Sequence, residues 1–283
     1  MIILAEAESN AAISILHAVG LDKGCSIGIN LKATVKLVSE PQKIDDDFHE
    51  LFQSIEMVWK ENGFPLPEKY GWQVSSEIPI GQGLKSSSAI SCAAIKALNQ
   101  ATWTGLNDSE IVNLAVSSQR KCGCTITGSL DDTWASMSSG WKLVDPNKSA
   151  QESILLEGNI EEEIIIFLIL RGRRTKEIKI SNFKEQSRFF ERALDSLSND
   201  SIFQAISTNG MAVAAATEDD EAVRICNKLI SSGAIAAGIT GSGPAISVIS
   251  FVQDSEIIRQ SLNDLKYDIV ETNFFNNNIL ELI

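Results

Sequence analysis

Apolar and polar or small residues alternate without a break between residues 25 and 37. The apolar positions are Cys25, Ile27, Ile29, Leu31, Ala33, Val35 and Leu37. Successive side chains of a β-strand point to opposite faces of the sheet, so this period of two predicts a long strand with one buried face. A half-buried strand of this length belongs to a sheet that is covered on one side.

Helical spacing of apolar residues dominates the rest of the first half. It predicts helices over residues 44 to 62, 86 to 99 and 107 to 121, with a second strand over 71 to 78. Asn107 and Glu110 have the spacing of a capping box, which supports a helix start there. This half is therefore predicted to be an α/β unit.

The second half has the order strand, helices, strand, strand, helix, strand. The strands are predicted over residues 164 to 170, 234 to 240, 245 to 252 and 268 to 274, and the helices over 182 to 197, 200 to 216, 219 to 232 and 254 to 267. This is the order of a split βαβ, ferredoxin-like unit with extra helices in its first crossover. We expect two domains, residues 1–150 and 151–283, that share an interface.

Composition and charge exclude several classes of function. The formal net charge of −13 argues against a nucleic-acid-binding surface, which is normally basic. No apolar run approaches the ~18 residues of a membrane helix, and the N-terminus lacks the pattern of a secretion signal. The five cysteines include no CxxC pair, so we expect reduced thiols. A cytoplasmic protein is predicted, with His17 and His49 in structural or surface positions.

A glycine- and serine-rich loop precedes the helix at residue 86. It consists of Pro79, Ile80, Gly81, Gln82, Gly83, Leu84, Lys85, Ser86, Ser87 and Ser88. Glycines allow positive φ and close backbone approach, and N–H groups at a helix N-terminus bind phosphate. The loop is neither a Walker A sequence nor a dinucleotide fingerprint. From the residues alone, a plain glycine turn into a serine-capped helix remains the alternative.

The stretch Gly83-Leu-Lys-Ser-Ser-Ser-Ala89 resembles the second motif of the GHMP kinases, the superfamily of galactokinase, homoserine kinase, mevalonate kinase and phosphomevalonate kinase. Lys85 and Ser88 depart from the common form of that motif. With these departures, the stretch is similar to the motif of archaeal shikimate kinases.

Three further segments are similar to the same family. Residues 123 to 136 contain the adjacent Asp131 and Asp132, residues 238 to 244 resemble the third GHMP motif, and residues 24 to 35 resemble the N-terminal region. Asn30 stands in that last segment where an aspartate is common. Taken alone, the aspartates could be a solvated turn or a helix cap, and Gly241-Ser-Gly243 a tight hairpin.

A basic stretch follows the predicted strand at 164 to 170. It contains Arg171, Arg173, Arg174 and Lys176. Shikimate carries a carboxylate, and guanidinium groups bind carboxylates through paired hydrogen bonds. We therefore predict that Arg171, Arg173 and Arg174 bind substrate, as does Asn30. A solvated strand end or interdomain salt bridges remain the alternative.

The resemblance implies a two-domain GHMP kinase fold with ATP, Mg²⁺ and shikimate between an N-terminal α/β domain and a C-terminal ferredoxin-like domain. It assigns the backbone of Gly81 to Ser87 to the phosphates, together with the turn of Gly241, Ser242 and Gly243, and Ser87 to phosphate or Mg²⁺. Asp131 is the first choice to contact the acceptor hydroxyl and Asp132 the second, with Lys85 neutralising charge.

The implied reaction is phosphorylation of shikimate to 3-phosphoshikimate, a step towards chorismate and aromatic amino acids. Homoserine kinase is the alternative enzyme, and a GHMP-fold ligand sensor without catalysis is the alternative class. Several GHMP kinases carry a supporting lysine in their first motif, whereas this chain has no lysine before Lys23. The supporting cation is therefore open, with Lys85 and the arginines as candidates.

Overall fold

The computed structural model describes residues 1–42, 44, 47, 49–125, 127–175 and 177–276. Within them, five strands form the first sheet and four form the second. The first sheet contains β1 (Ile3–Leu16), β2 (Gly24–Val38), β3 (Gly71–Ser76), β4 (Trp141–Val144) and β5 (Ile154–Gly158). The second contains β6 (Ile164–Leu170), β7 (Ala236–Ile239), β8 (Ile246–Phe251) and β9 (Asp268–Thr272).

The long strand β2 organises the first sheet. It pairs along one edge with β1, while its other edge pairs with β3 at residues 33–38 and with β4 at residues 24–27. The predicted strand at 25 to 37 is thus confirmed, but residues 24–29 are buried on both faces. A helix covers this part of β2 closely. A Cβ at Gly28 would lie 2.6 Å from the carbonyl oxygen of Ala135 in that helix.

The helices of the first half are α1 (Ala18–Leu21), α2 (Leu51–Glu61), α3 (Ser86–Thr102), α4 (Asp108–Lys121), α5 (Leu130–Met137) and α6 (Ala150–Ser153). The capping box of Asn107 and Glu110 is confirmed. Helix α2 begins at Leu51 rather than at residue 44, because the Asp47 carboxylate accepts the first free N–H groups, those of Leu51 and Phe52. Residues 45, 46 and 48 of the predicted helix lie outside the described residues.

The second sheet has the order β7-β8-β6-β9 with antiparallel pairing throughout. Helices α7 (Ile180–Glu185), α8 (Ser187–Ser198), α9 (Ile202–Thr217) and α10 (Asp220–Ser231) connect β6 to β7, and α11 (Ser255–Leu262) precedes β9. This order confirms the predicted ferredoxin-like arrangement with extra helices in the first crossover.

One apolar core joins the two sheets. It contains side chains from β1 and β2, such as Ile13 and Ile27, together with Phe167 of β6 and Ile206 of α9. The first sheet extends to Gly158 through β5. The division into domains at residue 150 remains a prediction.

Among the residues that the structure describes, no helix combines the length and the apolar character needed to cross a membrane.

Candidate active site

Two adjoining cavities open where the glycine loop meets the second half of the chain. The large cavity, of about 950 Å³, runs from that loop past α2 to the polar strand β3. The small cavity, of about 180 Å³, lies between the loop, the end of β1 and the start of α5. The residues that line both cavities are Gly81, Ser86, Ser87, Cys124 and Arg174. The loop therefore stands at the junction between two binding spaces.

The glycine loop is held in an unusual backbone conformation. Gly81, Gly83 and Lys85 have φ values of 73°, 83° and 65°. The left-handed region is open to glycine but unfavourable for lysine, so the surrounding structure must hold Lys85 in place. Pro79 and Ile80 lead into the loop, and the Ile80 side chain lines the large cavity.

The loop packs backbone to backbone against the turn at 241–243. The Thr240 hydroxyl donates to the Gly83 carbonyl oxygen at 3.3 Å, and the Ala245 N–H donates to that of Gln82 at 3.2 Å. A Cβ at Gly83 would collide with the Thr240 carbonyl oxygen, and one at Gly241 would lie 2.8 Å from the Gly83 carbonyl oxygen. These glycines are required by close approach, and the two predicted motifs are neighbours in space.

The N-terminus of α3 suits an anion. Helix α3 has 17 residues, no acidic residue in its first turn and no side chain that caps its free N–H groups. Its first residues, Ser86 and Ser87, line both cavities. Such an uncapped terminus can receive a phosphate through its N–H groups and dipole. The donors therefore fit the phosphates of a nucleotide.

The three serines of the loop face different surroundings. The Ser88 side chain is buried in the core, where its hydroxyl donates to the Gln119 side-chain oxygen at 3.0 Å. The Ser87 hydroxyl makes a longer contact, 3.3 Å, with the same oxygen and stays at the cavity surface. Ser87 can therefore offer its oxygen to a phosphate-bound Mg²⁺, whereas Ser88 and the buried Leu84 side chain face the protein.

Metal binding at this site depends on few protein groups. Among the described residues, no three or more His, Cys, Asp or Glu side chains cluster so as to hold a metal ion. Mg²⁺ usually keeps several waters and is bound by one or two protein groups together with phosphate oxygens. The hydroxyl of Ser87 at the junction fits that mode of binding.

A short polar chain crosses the floor of the small cavity. Lys85 Nζ lies 2.6 Å from Asp132 Oδ1. Ser26 Oγ, on β2, lies 2.9 Å from the same Asp132 oxygen and 2.8 Å from Asp131 Oδ2. Both aspartates lie in the first turn of α5, where the helix dipole favours negative charge. The glycine loop and α5 thus meet through a lysine–aspartate pair.

The two aspartates have opposite electrostatic environments. Burial, followed by the neighbouring charge of Asp132, raises the pKa of Asp131 to about 7. Burial also disfavours the charged form of Asp132, but the charge and hydrogen bond of Lys85 outweigh it and lower the pKa of Asp132. Asp132 is therefore an anion at neutral pH, while Asp131 is poised between its neutral and charged forms.

His17 lies at the small cavity, a position that sequence reasoning missed. Its Nδ1 accepts the Val19 N–H at 3.2 Å, so Nε2 carries the ring proton and donates to Ser242 Oγ at 2.9 Å. Burial, followed by the charge of Lys85, lowers the pKa of His17 to about 3 and keeps the ring neutral. His17 also has the structural role that was expected of it, because it is the N-cap residue of α1. No local pattern signals that the ring also lines a cavity.

Arg171 lines neither cavity, so the structure does not bring it to the other predicted substrate-binding residues. Its guanidinium donates to both carboxylate oxygens of Asp219, at 2.7 and 2.9 Å, and to Glu221 at 3.1 Å. It also lies over the Tyr267 ring, 5.8 Å from the centroid. This cation therefore serves acidic groups of the second half, as the alternative of salt bridges at the strand end predicts.

Asn30 also lines neither cavity. Its side chain donates to the Phe274 carbonyl oxygen at 3.3 Å, and its backbone N–H donates to the Asn273 carbonyl oxygen. These contacts join β2 to the chain that follows β9, outside the residues lining the cavities. Asn30 therefore has a contact at the sheet edge in place of a position at the cavity.

The other two arginines do reach the cavities. Arg174 lines both, and its backbone N–H donates to the Gly81 carbonyl oxygen at 3.1 Å. Arg173 lines the large cavity. Lys176, the last cation of the predicted cluster, lies outside the described residues. The contact between Arg174 and Gly81 ties the segment after β6 to the glycine loop.

Comparison with solved structures identifies proteins that share this fold. A mevalonate kinase from Methanococcus jannaschii superimposes with a TM-score of 0.76 at 18% identity, covering 96% of this chain and 98% of that one. A putative homoserine kinase from Listeria monocytogenes gives a TM-score of 0.66 at 17% identity, covering 95% and 96%. The fold is that of the GHMP kinases.

Sequence comparison identifies the relatives of this chain among the GHMP kinases. The sequence pattern of the GHMP kinases N terminal domain matches residues 50–140. A shikimate kinase of Pyrococcus abyssi is 31% identical over 256 residues, covering 86% of this chain and 90% of the relative. One of Methanothermobacter thermautotrophicus is 23% identical over 296 residues, covering 98% and 97%. The chain belongs to the GHMP kinase superfamily and, within it, to the family of the archaeal-type shikimate kinases.

Proposed function

We propose that the chain phosphorylates shikimate with ATP to give 3-phosphoshikimate. The observation that carries this proposal is the Lys85–Asp132 pair, which lies in the small cavity directly beside the N-terminus of α3. The names of the relatives in Pyrococcus abyssi and Methanothermobacter thermautotrophicus support shikimate as the acceptor.

The large cavity is the proposed nucleotide site, with the phosphates at the start of α3. ATP supplies the transferred phosphoryl group, and Mg²⁺ offsets the charge of its phosphates. Gly81, Ser86 and Ser87 of the loop line the junction between the cavities, and Gly241 and Ser242 of the turn line the small cavity. In this arrangement Lys85 and Arg174 bring positive charge to the point between the cavities. Positioning and charge stabilisation are what phosphoryl transfer mainly requires of the protein.

Asp132 is the proposed proton acceptor, ahead of Asp131. Its carboxylate is ionised beside Lys85, whereas Asp131 is only 4% exposed and lacks an ion pair among the described residues. An alcohol has a pKa far above neutrality, so Asp132 takes the proton late in the transfer rather than generating a free alkoxide. Lys85 is then the supporting cation that the first motif does not supply.

The small cavity is the proposed acceptor site. Its polar side chains include Ser14, Thr125, Thr127 and Ser129, beside the neutral His17. Hydroxyls and a neutral imidazole suit an acceptor with several hydroxyl groups, and the guanidinium of Arg174 suits its carboxylate. Shikimate combines these two kinds of group.

A coupled assay of ADP release with shikimate, homoserine and mevalonate tests the proposal. We expect turnover with shikimate and a kcat/KM at least about 100-fold lower with the other two, because buried polar groups left unpaired discriminate strongly. Turnover with homoserine alone would reject the proposed acceptor. Nucleotide binding without turnover of any acceptor would instead favour a ligand sensor.

A further inference from the structure

Ser26 is the only residue outside α5 and the glycine loop in the described polar chain at the floor of the small cavity. It is 1% exposed on β2, and its hydroxyl oxygen contacts Asp131 at 2.8 Å and Asp132 at 2.9 Å. A serine hydroxyl has one proton and so donates to only one carboxylate at a time. The other short contact needs a proton from the aspartate, since two acceptor oxygens repel each other at that distance.

The surroundings indicate which aspartate carries that proton. Asp132 faces the ammonium group of Lys85, which favours its anion. Asp131 has Cys25 and Ser26 beside it on β2, Asp132 on its own helix and the charge of Lys85 farther off. The Cys25 thiol stays neutral because burial, followed by Asp131, raises its pKa. The aspartate without a close cation is the one that holds the proton.

We propose that Ser26 couples the two carboxyls: neutral Asp131 donates its proton to Ser26 Oγ, and Ser26 donates its own proton to Asp132 Oδ1. The proposal rests on the kinase function proposed above. It makes Ser26 and Asp131 positioning residues, and Asp132 the group that touches the acceptor.

The coupling defines which atom of Asp132 is free to act. Oδ1 receives two donors, from Lys85 and Ser26, so Oδ2 is the oxygen that we assign to the acceptor. The acceptor O–H bond breaks as the new O–H bond forms on Oδ2. The alcohol oxygen bonds to the γ-phosphorus of ATP while the bond from that phosphorus to the bridging oxygen breaks, and ADP leaves with the bridging oxygen. Because both donors lie on Oδ1, they hold the carboxylate plane while leaving Oδ2 basic.

The backbone of β2 makes room for this arrangement. Gly24 lies directly against Asp131, and a Cβ there would be 2.5 Å from the carboxyl carbon. The carboxyl group of Asp131 is therefore packed against the bare backbone of Gly24 on one side. Burial of this kind favours the neutral acid.

Kinetics of three variants test the role of Ser26. Ser26→Ala removes a hydrogen bond to a charged group, so we expect kcat to fall about 10- to 100-fold while KM for ATP changes less than about 3-fold. Ser26→Thr keeps the hydroxyl and should recover most of the loss. Asp131→Asn keeps a donor toward Ser26 and should lose only about 5-fold. Ser153→Ala removes another buried serine hydroxyl, far from the cavities, and is the matched control.

Two kinetic results would overturn the proposal. One is full activity in Ser26→Ala with an unchanged melting temperature. The other is an Asp131→Asn variant as inactive as Asp132→Asn, because Asp131 would then act as an anion.

Carbon-13 NMR of the aspartate carboxyls in the full-length protein gives a readout that needs no substrate. The resonance lost in Asp131→Asn identifies Asp131, and we expect it to report a neutral acid at pH 6. In Ser26→Ala its titration midpoint should fall, because the neutral acid has lost its acceptor. An ionised Asp131 at pH 6, or a midpoint that rises, would overturn the proposal. If no acceptor is turned over, the proposed function fails while this measurement still decides the coupling.

Discussion

Two ion pairs of similar burial have different surroundings in this chain. Lys85 and Asp132 have side chains 10% and 14% exposed, and Arg171 and Asp219 have 8% and 18%. The first pair joins the glycine loop to α5 at the wall of the small cavity. The second joins the end of β6 to the first turn of α10, where Asp219 also accepts the Ala222 N–H.

The difference lies in how many donors each cation has already used. Arg171 donates to Asp219 twice, to Glu221 and to the Pro244 carbonyl oxygen, and it lies over an aromatic ring. Lys85 makes one ion pair and faces open space. A cation whose terminal N–H groups already serve carboxylates stabilises the fold, whereas a cation that lines a cavity can bind a ligand.

The largest expected effect on kcat distinguishes Asp132 from Asp219, the aspartates of the two ion pairs. Asp132→Asn removes the proposed proton acceptor and should lower kcat about 10²- to 10⁴-fold with little change in the KM for ATP. Asp219→Asn should change kcat less than about 5-fold in the folded enzyme, since it weakens only a structural contact. Steady-state kinetics with shikimate and ATP measure both. Equal losses of kcat in the two variants would contradict the different roles given to Asp132 and Asp219.

The next largest effect on kcat is expected at Lys85, the cation of the first ion pair. Lys85→Met keeps a side chain of similar length and should lower kcat about 10²- to 10³-fold, the usual cost of losing a group that stabilises transition-state charge. Lys142→Met is the control, because Lys142 is a half-buried lysine that pairs with Glu157 outside the cavities. A comparable loss of kcat in both variants would show that Lys85 acts only through stability.

Arg171→Met should act on stability instead. It removes the guanidinium that donates to Asp219 and Glu221, so we expect the free energy of unfolding to fall about 2–4 kcal/mol. Urea denaturation measures this, and Arg171→Lys should restore part of it. If Arg171→Met left stability unchanged but raised the KM for shikimate more than about 10-fold, the original substrate assignment would be right.

Arg174→Ala should affect binding of the acceptor. Loss of a guanidinium–carboxylate contact should raise the KM for shikimate about 10- to 100-fold with kcat nearly unchanged. Arg173 lines only the large cavity, so Arg173→Ala should change the KM for ATP instead. The reverse pattern would exchange the roles proposed for the two arginines.

The smallest effect concerns the pH dependence of stability. The pKa of Asp131 is raised to about 7 in the folded chain, above about 3.9 in the unfolded one, so the folded state binds more protons between these values. The wild-type chain therefore loses stability as pH rises from about 4 to about 7. Asp131→Asn avoids this loss, and its advantage over the wild type should grow by about 2–3 kcal/mol between pH 5 and pH 8. Urea denaturation measures the free energy of unfolding of both proteins. If the difference between them stayed constant from pH 5 to pH 8, the raised pKa of Asp131 would be contradicted.

Local patterns predicted the parts of the fold that local sequence controls. The alternation in β2, the capping box of α4 and the glycine hairpin after β7 each have their signal within a few residues. Strand β1 was missed because its inward positions include the small Ala5 and Ala7, which give a weak apolar alternation. Helix α5 was missed because its eight residues begin after Ser129 in a left-handed conformation, without a long apolar period.

The site was predictable in its motifs and not in its contacts. The glycine loop, the aspartates and the Gly241 turn were found because family motifs are local. The pairing of Lys85 with Asp132, the chain through Ser26 and the place of His17 depend on tertiary packing between distant segments. The ion pairs of Arg171 equally depend on α10, which no cluster of arginines can indicate.

The most direct test of the central claim is a double-variant cycle on Lys85→Met and Asp132→Asn, measured as kcat/KM for shikimate. Groups that act as a unit show strongly non-additive losses, so the double variant should be about as active as the weaker single variant. A loss equal to the product of the two single losses would show that the lysine and the aspartate act independently, which would contradict the account.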